Sequence, residues 1–402
     1  MFGIKLGLGQ TMELVERAGI DFSTIRFIHI AGTNGKGSTG AMIAKALTAV
    51  GFTTGFYTSP HLISVRERFR INGGAMEASE FAELLGELAP VVEAMKREGA
   101  EVTYFELATV LALKYFCANK VDFAVWETGM GGRLDATNIV TPEVAVITNI
   151  APDHQKYLGE TIEEIAAEKG GIIKPGVPIF IGAMPEAAQR VIATRASELA
   201  APLRVADSEA EYRWENGGTQ WRAHRLTTGL IGKVQRRNLL LAANVVEYLA
   251  KKYEFDLADA LAALPEVKWP CRMQQLAANV WADGGHNPDG ISAMLESARE
   301  LFGNKFAVVF GAFADKDASA EIELIAAAEV PMVFVPIANG FRPCWRQEEL
   351  LAKAGSGECA DSLSEGIALA AKVGENIIVA GSLYLAAEAL ELYKGADAAL
   401  NI

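Results

Sequence analysis

The chain has 402 residues, half of them hydrophobic and 22% charged, with glycine and proline spread along its length. That composition excludes a disordered or fibrous protein, and the length exceeds what one hydrophobic core usually serves, so two domains are expected. A formal charge of −13, from 37 basic against 50 acidic residues, excludes a general nucleic-acid or anionic-membrane surface but still admits an anionic small substrate held by local basic contacts.

The opening MFGIKLGLGQ has no long apolar stretch, and no run of 18 apolar residues follows, so neither secretion nor membrane insertion is expected. Cys117, Cys271, Cys344 and Cys359 share no short spacing and read as reduced thiols of a cytoplasmic protein. IRFIHIA (25–31) predicts a buried strand, followed by a glycine-rich turn and a helix through GAMIAKALTAVG. TTGFYTS predicts a second strand. The helical run FELATVLALKYFCA leads into the strand VDFAVWE, and PEVAVITNI forms another after a loop. Strands without polar alternation, separated by helices, predict a parallel sheet covered on both faces. Aromatic and polar residues alternate over 210–230 around Asn216-Gly217-Gly218, which predicts a β-hairpin. The helices RRNLLLAANVVEYLAKKY and LADALAAL come next. Pro265–Pro270 then breaks the pattern, which places residues 1–267 in one domain and 268–402 in another. Beyond it NVWADGG, FAVVFGAF, PMVFVPI and NIIVAGS predict strands of a smaller doubly wound domain.

The turn Gly32-Thr33-Asn34-Gly35-Lys36-Gly37-Ser38 lies between a buried strand and a helix, the context of a phosphate loop. Its glycines let backbone N–H groups face phosphate oxygens at a helix N-terminus, and Lys36 would reach the β- and γ-phosphates. Gly37 stands where a hydroxyl residue usually follows the lysine, so that role falls to Ser38 or Thr39. ATP binding is expected, with kinase, transporter ATPase and ligase all open. Ser59 follows the second strand, Glu127 ends VDFAVWE, and Asp153-His154 follows AVITNI. Polar groups at the ends of three neighbouring strands would converge beside the phosphate loop and could hold hard cations that bridge nucleotide phosphates. Lys169, near the end of a helical run, reads by itself as an exposed lysine favoured by the helix dipole.

With these motifs collected, the sequence resembles the folylpolyglutamate synthase/dihydrofolate synthase family of the Mur ligase superfamily. The matching blocks are HIAGTNGKGST, FYTSPHL with ERFRING, TYFE, DFAVWETGMGGRLDATN, ITNIAPDH with LGETIEEIAAEKGGIIKPG, WPCR, DGGHNPDG, DKD and AGSLYLAAE, in family order along nearly the whole chain. The resemblance implies an α/β fold: an N-terminal Mur-ligase-type P-loop ATPase domain with a parallel sheet, plus a smaller Rossmann-like C-terminal glutamate-ligase domain. It implies an ATP- and Mg2+-dependent ligase that adds L-glutamate to a folate, to dihydropteroate or to both through an acyl phosphate, acting as a cytoplasmic monomer without nucleic-acid or membrane partners. It also implies roles for residues. Asn34, Gly35, Lys36, Gly37 and Ser38, with Asn238, Arg272, Asp283 and His286, would bind ATP. Ser59, Glu127 and His154, with Ser38 close by, would be magnesium ligands. Lys36, Glu127, His154 and Lys169, the last as a carbamate, would be catalytic. Thr103, Tyr104, Phe105 and Glu106, with Leu134, Asp135 and Ala136, would face the pterin side. Asp315, Lys316 and Asp317 match a further family loop.

The chain departs from the family at Val234, where histidine is usual, at Gly170, where alanine is usual, and at Gly9-Gln10, where Glu-Arg is common after the Leu6-Gly7-Leu8 motif. A peptidoglycan-precursor Mur enzyme is the competing ligase, disfavoured by TSPHL and GGRLDATN. A phosphate-loop ATPase acting as a binding module is the competing reading outside ligases, and it leaves DGGHNP and WPCR unexplained.

Overall fold

The computed structural model describes residues 7–206, 214–215, 217–315, 317–338 and 342–400, so Leu6, Asn216 and Lys316 lie outside the described residues. The first unit is built on β1 (Arg26–Ala31), β2 (Thr54–Tyr57), β3 (Phe69–Ile71), β4 (Gly74–Ala75), β5 (Phe123–Glu127), β6 (Val144–Ile147), β7 (Ile179–Ile181) and β8 (Leu203–Val205). Their order is β4-β3-β2-β5-β1-β6-β7-β8. From β2 to β8 neighbours run parallel, while β3 and β4 extend the edge antiparallel.

The unbroken apolar runs of β1 and β5 are buried because both faces are covered. Ile28, Ile30 and Val125 pack with the helices Lys36–Ala49 and Lys233–Tyr253. Phe27, Ala124 and Trp126 point the other way, against helices Gly9–Arg17, Ala78–Arg97 and Tyr104–Ala118. Successive residues of one strand thus supply two cores, as the two-residue side-chain period requires. The predicted hairpin is a small antiparallel sheet with one strand more: β9 (Trp214–Glu215), β10 (Gly218–Trp221) and β11 (His224–Leu226).

The second unit carries β12 (Gln274–Ala277), β13 (Val280–Ala282), β14 (Phe306–Phe310), β15 (Met332–Phe334), β16 (Glu358–Cys359) and β17 (Asn376–Ala380), ordered β12-β13-β17-β14-β15-β16. All neighbours are parallel except β12 against β13. Its last helix, Leu383–Lys394, is followed by a segment that crosses back to the first unit. There Leu400 O accepts from Ala75 N at 3.2 Å and from Arg70 Nη1 at 2.7 Å.

Candidate functional site

Ligands of open α/β sheets collect beyond the carboxyl ends of the strands. Here the segments after β1, β2, β5 and β6 in the first unit and after β13, β14 and β17 in the second border one cavity of about 560 Å³.

The loop after β1 is shaped by glycine. Gly32 has φ 152°, and a Cβ there would lie 1.9 Å from Thr148 Oγ1; Gly35, at φ 84°, starts the helix and would drive a Cβ to 2.6 Å from Asn238 Oδ1. Only a residue without Cβ meets both demands. Lys36 Nζ donates to Gly32 O at 3.1 Å and Thr33 O at 3.3 Å, and lies 3.9 Å from Glu127 Oε1. Both hydroxyls after Gly37 are buried without a hydrogen-bond partner among the described residues, but Ser38 borders the cavity and Thr39 does not.

Lys169 is 4% exposed, not a surface lysine. It ends the helix Ile162–Gly170, and its Nζ donates to Gly32 O at 2.9 Å, the carbonyl that Lys36 also reaches. Burial pushes its pKa down to about 7, helped by the Lys36 charge and opposed by Asp153 and Asp135. The loop 128–138 holds that helix end: Arg133 N donates to Glu168 O at 2.8 Å, and Asn138 Nδ2 donates to Gly171 O at 3.1 Å. Burial raises the Glu127 carboxyl to about 7, against the pull of Lys36, the Ser59 N–H at 3.3 Å, Arg272 and Arg68.

Ser59 and Glu127 therefore touch, as adjacent β2 and β5 allow. The expected three neighbouring strands are corrected in one respect, because β1 stands between β5 and β6. His154 borders the same cavity with its side chain 42% exposed, in a left-handed conformation (φ 49°), its N–H donating to Asp153 Oδ1 at 2.9 Å.

On the wall formed by the first unit, Thr103 and Glu106 make a capping box: Glu106 Oε2 accepts from Thr103 N at 2.7 Å and Thr103 Oγ1 from Glu106 N at 3.2 Å. Asp135 is buried and accepts from Met130 N at 2.8 Å, Thr137 N at 3.0 Å and the Thr137 hydroxyl. These three polar side chains hold backbone in place. Tyr104, Phe105, Leu134 and Ala136 complete this part of the lining, and the Arg68 guanidinium lies 5.3 Å from the Tyr104 ring centroid.

Across the cleft, the buried Asp283 accepts from Met273 N at 2.9 Å and Gly285 N at 2.8 Å, and burial raises its pKa against the Arg272 charge. Arg272 Nη1 donates to Cys271 O at 2.9 Å. His286 Nδ1 bonds Gly284 O at 2.8 Å; a carbonyl only accepts, so the proton sits on Nδ1. Asn238 Nδ2 donates to Gln235 Oε1 at 3.0 Å, and Val234 presents an apolar side chain at the cavity. Asp315 borders the cavity and pairs with Arg342 at 3.2 Å, whereas Asp317 is directed to Ser319 and Lys353.

Asn34 is clasped by the second unit. Its Nδ2 donates to Asp289 Oδ2 at 2.7 Å and Asn287 Oδ1 at 3.1 Å, and Asn287 Nδ2 returns a bond at 3.2 Å. Asn149 joins both sides, accepting from Asn34 N at 2.7 Å and donating to Asp289 Oδ2 at 2.9 Å. Sequence reasoning missed Arg68, Asn149, Asn287 and Asp289. A signal existed for Asn287, an N-cap residue directly before Pro288 at the start of helix Pro288–Phe302.

Two family models match the chain: Mur ligase middle domain over residues 30–246, and Mur ligase, glutamate ligase domain over residues 271–383. A dihydrofolate synthase/folylpolyglutamate synthase of Bacillus subtilis is 36% identical over 95% of this chain and 94% of its own length. Among solved structures, Mycobacterium tuberculosis folylpolyglutamate synthase complexed with ADP superposes with a TM-score of 0.88 at 28% identity, covering 98% of this chain and 96% of that one. E. coli FolC in complex with DHPP and ADP superposes with a TM-score of 0.84 at 29% identity, covering 97% and 93%.

Proposed function

Because this chain belongs to the folylpolyglutamate synthase/dihydrofolate synthase family of the Mur ligases and is an ATP-dependent ligase that joins glutamate to folates, we propose that its reaction runs through an acyl phosphate made in the cleft between the two units. The observation that carries this reading is the convergence of Lys36, Glu127, Lys169, Arg272 and His286 on one cavity lined by both units. In the first step a carboxylate oxygen of the acceptor bonds to the γ-phosphorus and ADP departs. In the second the glutamate amine bonds to the activated carbonyl, phosphate departs, and the proton of the amine passes to solvent.

Catalysis is then positioning and electrostatics. Backbone N–H groups of Gly35, Gly37 and Ser38 and the Lys36 ammonium receive the nucleotide phosphates, with Asn238 beside Gly35 on the same unit, while Arg272, Asp283 and His286 approach the nucleotide from the other wall. Tyr104, Phe105, Leu134 and Ala136 offer a flat apolar face to the pterin, with Thr103, Glu106 and Asp135 fixing the backbone behind them. Closure of the cleft excludes water that would hydrolyse the acyl phosphate.

Magnesium fits this donor set. Ser38 Oγ is buried without a partner among the described residues, and the Glu127 carboxylate is buried where its charge is costly. Ser38, Ser59, Glu127 and His154 would hold the ion, which supplies positive charge against the phosphate oxygens. With its pKa near 7, Lys169 offers a neutral amine, the form that adds carbon dioxide, so carbamate formation suits the site. We set the domain boundary at 267/268, a reading supported by Val267 packing in the first core and Cys271 in the second. The setting is a cytoplasmic monomer with no nucleic-acid or membrane partner, in keeping with the charge of −13; among the described residues no helix is long and apolar enough to cross a membrane.

Mass spectrometry tests the reading. With ATP, magnesium and glutamate, a one-glutamate gain on dihydropteroate marks dihydrofolate synthesis, and successive gains on a tetrahydrofolate mark polyglutamylation. ADP accumulating while neither pteridine gains mass would overturn the folate assignment.

A further inference from the structure

Arg70 lies in β3 with only 2% of its surface exposed. Burial, opposed by the Glu67 charge, lowers its pKa to about 10, so it is a cation at neutral pH. A buried cation needs acceptors, and this one finds backbone carbonyls: Gly73 O at 3.1 Å, Leu400 O at 2.7 Å and Ala399 O. Two of the three belong to the segment that follows the last helix of the second unit, some 330 residues away in the chain.

The other side of Arg70 looks toward the phosphate loop. Its Cζ lies 5.9 Å from the ring centroid of Trp269, on the connection between the two units. Trp269 leans on Phe56 at 5.3 Å between centroids and covers Gly37 so closely that a Cβ there would sit 2.7 Å from the indole Nε1. Arg70, Trp269 and Gly37 also border a second small cavity, about 50 Å³, shared with Ser59, Glu127 and Arg272. Arg70 Nε has no hydrogen-bond partner among the described residues.

We propose that Arg70 is a positioning residue for nucleotide binding: gripped by the carbonyls of Ala399 and Leu400, it seats Trp269 on Gly37 and so sets the shape of the phosphate loop. This deepens the reading above and rests on it only in taking that loop as the nucleotide site. Without the carbonyl grip the guanidinium is left buried and under-satisfied, turns toward water, and withdraws its face from the indole. Trp269 then loses the support that keeps it over Gly37.

The test compares the parent chain with a chain ending at Gly395, with R70M, and with R70K, which keeps the charge and is included in case the truncated chain does not fold. Affinity for AMPPCP with magnesium and amide exchange over 33–39 and 265–270 are the readouts. Coupling through packed side chains of this kind changes affinity by roughly 3- to 30-fold. The truncation and R70M should each weaken AMPPCP binding within that range, speed exchange in both segments, and combine without further loss. R70K should fall between them and the parent. Lowered melting temperatures with unchanged AMPPCP affinity and unchanged exchange over 33–39 would reduce the tail contact to a brace and overturn the proposal. A parent chain that does not bind AMPPCP would sink the reading of the loop itself and this proposal with it, whereas absence of glutamate addition alone would not touch it.

Discussion

Between about pH 7 and 10.5, in buffer freed of carbon dioxide so that no carbamate forms, the amine of Lys169 is neutral in the folded chain and charged in the unfolded one. The unfolded state binds the extra proton there, so stability rises with pH across that window, while below pH 7 the full cost of burying the charge is present. Each pKa unit of such a shift corresponds to about 1.4 kcal/mol. Lys169→Met should therefore flatten the rise in denaturation midpoints from pH 7 to 10 and raise stability near pH 6, while abolishing glutamate addition. A variant with the parent's pH slope would show that the amine is not buried as described. The sequence around this residue suggests the opposite, an exposed lysine at a helix end. Its buried amine bonds Gly32 O, 137 residues away, and no local pattern carries that. Lys36 and Glu127 were legible because strand, glycine turn and helix fix their place by themselves.

The helix that carries Lys169 is held by two close approaches of opposite tolerance. At Gly170, the last residue of the helix, a Cβ would meet only side-chain ends, Ile192 Cδ1 at 3.0 Å and Ile173 Cδ1 at 4.0 Å. At Gly132 it would meet the backbone oxygens of Lys169 at 2.8 Å and Glu168 at 2.9 Å. Gly170→Ala should stabilise the protein by up to about 1 kcal/mol, since alanine is the better helix former. Gly132→Ala should destabilise it and lower activity by moving Lys169; equal effects in denaturant titrations would refute the distinction. At this scale the parallel strands were legible from their unbroken apolar runs. The helix Ala78–Arg97 was not, because Pro90 in its interior argues against a helix, and β3, β4, β7 and β8 are too short to show a period.

Across the whole molecule two α/β units could be read from the two stretches of strand–helix alternation, but the contacts that join them could not, since Asn34 and Asn287 stand 253 positions apart. The Asn34, Asn149 and Asp289 clasp lies at an exposed edge, where each hydrogen bond contributes about 0.5–1.5 kcal/mol. Removing both bonds to Asp289 should loosen closure. Asp289→Ala is expected to raise the KM for ATP roughly 3- to 10-fold and to increase ADP formed per amide bond, as water enters a cleft that no longer seals. Coupled assays of ADP and glutamylated product check this, and an unchanged ratio would count against the clasp. The contact of Leu400 with Ala75 has a consequence of another kind. β4 is the outermost strand of the eight-stranded sheet, and an open sheet edge invites pairing with another chain. Residues 399 and 400 are synthesised after every strand of both sheets, so that edge stays uncovered until they have emerged, and the growing chain is most prone to self-association in that interval.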